Sequence, residues 1–293
     1  MKDNCITIQL SGGLGNQMFQ YATALSLALD KNAQLDVDSS WFILQKATTK
    51  RDYELSIFNI GINLDKDHSE NGFRSIIERV RKKLFLKPES HQLSVVHEPY
   101  FNYWSDINNG ILPFKLIGYW QSEKYFAHNK DRILDVFSFP EITEEQNLTY
   151  AHSISTTTNS VSLHVRRGDY VSDSNTNAYH GCCSIEYYKS AIKILNSKFQ
   201  NIHYFIFSDD PSWVKETFKL DNMTIITGNE GAQSYRDMQL MSLCKHHIIA
   251  NSSFSWWGAW LGNDEGTTIA PEKWFLDPSV NTKDIYAKSW LVI

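Results

Sequence analysis

From residue 160 to residue 270 the sequence alternates short aliphatic runs with longer segments of helical period, and this alternation constrains the fold more than any other feature. The runs 161–165, 203–208, 223–227, 247–250 and 267–270 read as strands, and 184–198, 211–219, 235–245 and 255–261 between them read as helices. Strands joined through helices lie parallel to one another, because a tight hairpin is excluded. The pattern therefore predicts a doubly wound parallel sheet. The amino-terminal end repeats it on a smaller scale, with a strand at 6–10, a glycine turn at 11–16, a helix at 17–31 and a strand at 34–38.

Ligands of such sheets bind beyond the carboxyl ends of the strands, and one of those ends is chemically loaded. The strand Val161-Ser162-Leu163-His164-Val165 runs directly into Arg166-Arg167-Gly168-Asp169-Tyr170-Val171. Two adjacent guanidiniums offer planar forks of donors that match phosphate oxygens. Asp169 is then a base or a strut for an arginine. The plain structural reading is a solvated turn with Asp169 paired to an arginine. Arg167-Gly168-Asp169 also spells the integrin-binding tripeptide, which is discounted because nothing suggests export.

The glycine turn Ser11-Gly12-Gly13-Leu14-Gly15-Asn16 precedes the first helix, where glycines let backbone approach a ligand and the helix start favours an anion. A dinucleotide fingerprint is rejected, since its third glycine would fall at Met18. Asn16 and Gln17 add amides for sugar hydroxyls or phosphate, although Asn16 could simply cap the helix. Near the other end, Asn251-Ser252-Ser253-Phe254-Ser255 follows a buried strand and opens a helix, offering more donors than a plain cap requires. Asp209 and Asp210 precede Pro211 and are read as structural, a cap with proline in the first turn. Asp36-Val37-Asp38 is likewise read as structural rather than as a metal site, and no metal is expected.

A net charge of −5 argues against a nucleic-acid partner, so a bound anion must be held locally. Cys5, Cys182, Cys183 and Cys244 lack CxxC spacing and read as reduced thiols. No run approaches the roughly 18 apolar residues of a membrane span. A cytoplasmic protein without a transmembrane segment is therefore expected, with the basic segment around Arg79 open to peripheral membrane contact. The stretches 97–104 and 116–123 are rich in aromatics beside amides and carboxylates, mostly core with some suited to stacking on a sugar. Residues 140–159 break periodicity and are read as a domain boundary.

Three motifs stand in order along most of the chain: Gly12-Gly13-Leu14-Gly15-Asn16-Gln17-Met18, His164-Val165-Arg166-Arg167-Gly168-Asp169-Tyr170 and Ser252-Ser253-Phe254-Ser255-Trp256-Trp257. Together they resemble the α-1,2-fucosyltransferases of glycosyltransferase family 11, bacterial members especially. The resemblance implies a GT-B type α/β fold of two Rossmann-like doubly wound domains facing across a cleft. The acceptor side would be 1–150 and the GDP-fucose side 160–293. It implies inverting transfer of L-fucose from GDP-β-L-fucose to the 2-hydroxyl of a terminal β-galactoside, lactose or a lipid-linked glycan, as in O-antigen synthesis. No cofactor or metal would be required.

Arg166 would hold the donor phosphate with His164 beside it. Likeness to α-1,6- and protein O-fucosyltransferases adds Asp237 for the nucleotide and Ser253 for phosphate. With these, Gly13, Gly15, Asn16, Gln17, Ser252, Phe254 and Ser255 make up the expected donor site, and Asp169 or Asp173 the general base. The alternatives are another GDP-sugar, another acceptor hydroxyl, or a non-catalytic sugar- or nucleotide-binding module.

Overall fold

The computed structural model describes residues 4–45, 50–58, 60, 93–168, 181–262 and 265–293. The basic cluster around Arg79, and Asp169 and Asp173, lie outside these residues.

Two parallel sheets organise the chain. The first contains β1 (Cys5–Gln9), β2 (Gln34–Asp38), β3 (Ser94–His97) and β4 (Phe114–Ile117), in the order β2-β1-β4-β3. The second contains β5 (Asn159–Val165), β6 (Ile202–Ser208), β7 (Met223–Ile225), β8 (His246–Ile248), β9 (Thr268–Ala270) and β10 (Leu291–Val292), in the order β10-β9-β8-β5-β6-β7. Counted from β5 and read from the β7 edge, this is the 3-2-1-4-5-6 order of a doubly wound sheet.

The helices are α1 (Leu14–Asp30), α2 (Ser40–Leu44), α3 (Lys130–Val136), α4 (Glu145–Thr156), α5 (Ile185–Lys198), α6 (Pro211–Thr217), α7 (Tyr235–Leu243) and α8 (Ser253–Trp260). Strand alternation explains how the second sheet is covered. Val161, Leu163, Val165, Tyr204 and Ile206 face Tyr188, Ala191 and Leu195 of α5. Phe205 and Phe207 point the other way, onto Ile154 of α4 and Leu240 and Met241 of α7.

The segment 140–159, expected to be irregular, thus contains helix α4. Its low aliphatic content hid it, because Asn147 and Ile154 are its buried positions. Tertiary contacts hold its start. Arg236, buried in α7, donates to the Pro140 and Glu141 carbonyls at 2.7 and 2.8 Å and pairs with Glu144. Helix α8 begins two residues before the expected position 255, since the Ser252 hydroxyl caps it by accepting from Phe254 N. Strand β10 was not legible, being a two-residue edge strand with both residues exposed.

The two halves share one apolar core through α8. Trp256 and Trp257 are fully buried against Phe19 of α1, with ring centroids 4.4 and 5.1 Å away. Their indole N–H groups are satisfied by the Ile285 and Gly15 carbonyls, and that of Trp260 by Glu123. Residues 274–290 return to the same core through Trp274, Ile285 and Ala287. Helix α1 is therefore buried on nearly every side. The polar side chains along it are tied down: Gln20 accepts from Ser11 N and donates to Ser11 Oγ and Gly118 O.

Candidate active site

In a sheet of this order, strand connections diverge to opposite sides between its first and fourth strands, here β5 and β8, and leave a crevice beyond their carboxyl ends. His164 and Arg166 leave β5 there, and Asn251, Ser252 and Ser253 leave β8. The first sheet brings the ends of its adjacent strands β1 and β4 to the same place, with Gly12 to Asn16 from one and Tyr119 and Gln121 from the other. The result is a cleft of about 930 Å³ walled by both sheets, a volume suited to a substrate-sized ligand.

On the second-sheet wall, Arg166 Nη1 meets Asp209 Oδ2 at 2.6 Å, while Asp209 Oδ1 accepts from Arg167 N at 2.8 Å. Asp209 therefore braces the loop after β5 and aims the Arg166 fork. Its structural reading was too narrow, since it lines the cleft. The signal was available: Asp209 follows the carboxyl end of β6 as Arg166 follows that of β5. Asp210 does cap α6, accepting from Trp213 N.

The two arginines diverge. Arg167 lies over the Trp213 ring at 4.1 Å with its Nε 3.3 Å from Asp210, and it does not line the cleft. His164 is 7% exposed, and its Nδ1 has no partner among the described residues. Burial pushes its pKa down to about 4, with Asp209 opposing and Arg166 adding to the shift, so the ring is a neutral donor and acceptor at pH 7.

Asp237 also lines the cleft. Burial raises its pKa to about 7 against the hydrogen bond it accepts from Asn229 Nδ2 at 2.8 Å. Asn229 is fixed in turn by a reciprocal amide pair with Asn147 of α4, which sequence reasoning missed because the two residues are far apart in the chain.

At the seam between the walls, Asn16 Oδ1 accepts from Ser253 Oγ and from Gln121 Nε2, both at 2.7 Å. Asn16 is thus not the cap of α1. That position belongs to Gly13, which makes no side-chain cap bond. A Cβ on Gly15 would lie 2.5 Å from the Ser253 carbonyl carbon, so this glycine admits the protein's own backbone. Gly13, Gly15, Asn16, His164, Arg166, Asp237, Ser252, Ser253 and Phe254 all reach the cleft. Gln17 and Ser255 do not. Gln17 is 0% exposed, donates to the Gly12 and Asp52 carbonyls and accepts from Glu54 N. The Ser255 hydroxyl bonds back to the Ser252 carbonyl.

The first-sheet wall carries Trp41, Phe101 and Tyr119, joined from the other half by Phe275, whose ring packs edge-on to Phe101 at 4.9 Å. Tyr119 remains 44% exposed, whereas Trp120 beside it is fully buried. Glu98 holds their turn by accepting both backbone N–H groups, and burial raises its pKa to about 7. Asp38 pairs with Lys115 and accepts from Ser40 N, and Asp36 accepts from the Cys5 thiol.

The model of Glycosyl transferase family 11 matches residues 1–293. The chain belongs to that family. Its relatives include an alpha-1,2-colitosyltransferase of Escherichia coli, 36% identical over 98% of each chain. The O-antigen biosynthesis glycosyltransferase WbnK of Escherichia coli is 33% identical over 96% of this chain and 98% of that one. Among solved structures, the fucosyltransferase NodZ from Bradyrhizobium is similar with a TM-score of 0.49 and 14% identity, over 89% of this chain and 94% of that one.

This family 11 chain is a glycosyltransferase with two parallel α/β sheets facing across a cleft, the GT-B arrangement. Among the described residues no helix is long and apolar enough to cross a membrane.

Proposed function

We propose that this protein is a galactoside 2-α-L-fucosyltransferase. It moves L-fucose from GDP-β-L-fucose to the 2-hydroxyl of a terminal β-galactoside, free or lipid-linked, with inversion and without a metal. The observation that carries the reading is the division of the cleft. The Arg166–Asp209 pair, the α8 start and Asp237 lie on one wall, and a wall of aromatics and amides faces them.

Breaking the sugar–phosphate bond builds negative charge on the β-phosphate. Donors already fixed at that place stabilise the transition state more than the ground state. Arg166 supplies the fork, held in aim by Asp209. Ser252 and the backbone N–H groups of the α8 amino terminus, that of Ser253 among them, supply further donors, while the Ser253 hydroxyl is turned to Asn16. Asp237, fixed by Asn229, takes the nucleotide, and neutral His164 donates or accepts beside Arg166 without adding charge. The galactoside lies against Tyr119, Phe101 and Phe275, whose rings suit the apolar face of a pyranose, and attacks from the side opposite GDP.

The test is GDP release from GDP-fucose over a panel of β-galactosides, with and without EDTA, with products identified by mass and linkage. Acceptor-dependent release that survives EDTA and yields an α-1,2 linkage supports the reading. Release only without acceptor, or binding without turnover, refutes it. The colitosyltransferase relative favours one second reading, a donor carrying a different sugar, and a donor panel scored by product mass separates the two.

A further inference from the structure

The amino terminus of α1, which the glycine turn suggested as an anion site, already carries a carboxylate. Leu14 N, the first helical N–H, donates to Glu54 Oε2 at 2.9 Å. That leaves the α8 start and Arg166 for a diphosphate, so the argument rests on the proposed transfer reading. Glu54 also lines the cleft, and among the described residues its Oε1 accepts no hydrogen bond.

Its placement is rigid. The fully buried Gln17 accepts from Glu54 N and donates to Asp52 O and Gly12 O, each at 2.9 Å, which clamps the Glu54 loop onto the glycine turn. The carboxylate is bonded one residue before Gly15, the residue packed against the Ser253 backbone, so it stands beside the α8 start but on the acceptor wall.

The other carboxylates that line the cleft among the described residues are differently placed. Asp209 is committed to Arg166, Asp237 is bonded to Asn229, and Glu230 follows directly on Asn229, on the same side as Asp237. Burial raises the Glu54 pKa above the ordinary carboxylate value, with Leu14 N–H and Arg51 pulling the other way, and a more basic carboxylate is a better proton acceptor.

We propose that Glu54 is the general base of the transfer. As the acceptor oxygen bonds to the anomeric carbon, its proton passes to Glu54 Oε1. The bond from that carbon to the β-phosphate oxygen breaks, and its electron pair leaves with GDP. The protonated carboxyl then returns its proton to solvent.

Glu54→Gln is nearly isosteric, and its amide oxygen can still accept from Leu14 N, so helix and fold persist. Acceptor-dependent turnover then falls at least about 100-fold. GDP affinity, read by calorimetry, stays within about threefold, and the acid limb of the wild-type kcat/KM profile disappears. A folded Glu54→Gln enzyme with more than a tenth of wild-type turnover overturns the assignment. So does parallel loss of GDP affinity and thermal stability, which would mark a purely structural cap, or an Asp169→Asn or Asp173→Asn enzyme that abolishes the acid limb in its place.

If Glu54→Gln does not fold, Glu54→Asp decides. Retracting the carboxylate lowers kcat and shifts the acid limb while the donor KM holds, and an unmoved limb overturns the proposal. Wild-type enzyme without acceptor-dependent GDP release from any GDP-sugar refutes the transfer reading and this one with it. Active wild type beside active Glu54→Gln refutes the base alone.

Discussion

Replacing Gly15 by alanine sets two effects of known size against each other. Gly15 is the second residue of α1, and alanine is favoured over glycine in a helix by at most about 1 kcal/mol, so local propensity alone predicts a more stable α1. Packing predicts the opposite. The new Cβ would stand 2.5, 2.6 and 2.7 Å from Ser253 C, Ser253 O and Phe254 N. These are backbone atoms of α8, and they cannot rotate aside as a side chain could. Helix α8 cannot easily retreat either, because Trp256 and Trp257 behind it are fully buried and their indole N–H groups are bonded.

Overpacking of this kind costs about 1–3 kcal/mol and lies at the upper end when backbone must move. Packing therefore wins, and Gly15→Ala should be destabilising by about 1–2 kcal/mol net. The shift also separates Ser253 from Asn16, and an error of about 1 Å there should lower turnover by roughly 100-fold.

Urea denaturation followed by tryptophan fluorescence reads the interface directly, since α8 carries three of the indoles. The control is Gly13→Ala, whose Cβ would meet, among the described residues, only Glu54 Oε2, at 3.9 Å, and which should cost less than about 1 kcal/mol as a poorer cap. A Gly15→Ala enzyme at least as stable as wild type with normal turnover would refute the reasoning.

Arg166→Lys should lose about 100-fold or more in turnover with an unchanged circular dichroism spectrum, because a point charge replaces a bidentate fork; near-normal activity removes Arg166 from the mechanism. Arg167→Ala should behave oppositely, costing about 1 kcal/mol of stability through the lost Trp213 contact while turnover stays within a few-fold, as denaturation and kinetics would read. For Asp237, raised to about 7, the burden is pH-dependent. The unfolded carboxyl ionises near pH 4 while the folded one keeps its proton, so stability is lost as pH rises from about 4 to 7 and stays lost above. Asp237→Asn should therefore stabilise the ligand-free protein at pH 8 by about 1–3 kcal/mol, do little at pH 4, and weaken GDP binding. Equal denaturation midpoints for mutant and wild type at pH 8 would contradict this.

The sequence by itself determined the parallel α/β class, most of the elements, and the strand end that carries His164 and Arg166. Each of these is written in local periodicity or in residue types a few positions apart. Helix α4 escaped because its start is held by Arg236 from α7 rather than by its own apolar face. Only tertiary structure turned Arg167 out onto Trp213 and kept Arg166 in the cleft, a choice made by two aspartates some forty residues further along the chain. It also decided that Gly15 receives the backbone of α8, that Gln17 lies behind the wall, and that Glu54 occupies the start of α1. A side chain's chemistry is set by its type, but what it faces depends on contacts across hundreds of residues, and these exist only once the two sheets share a core.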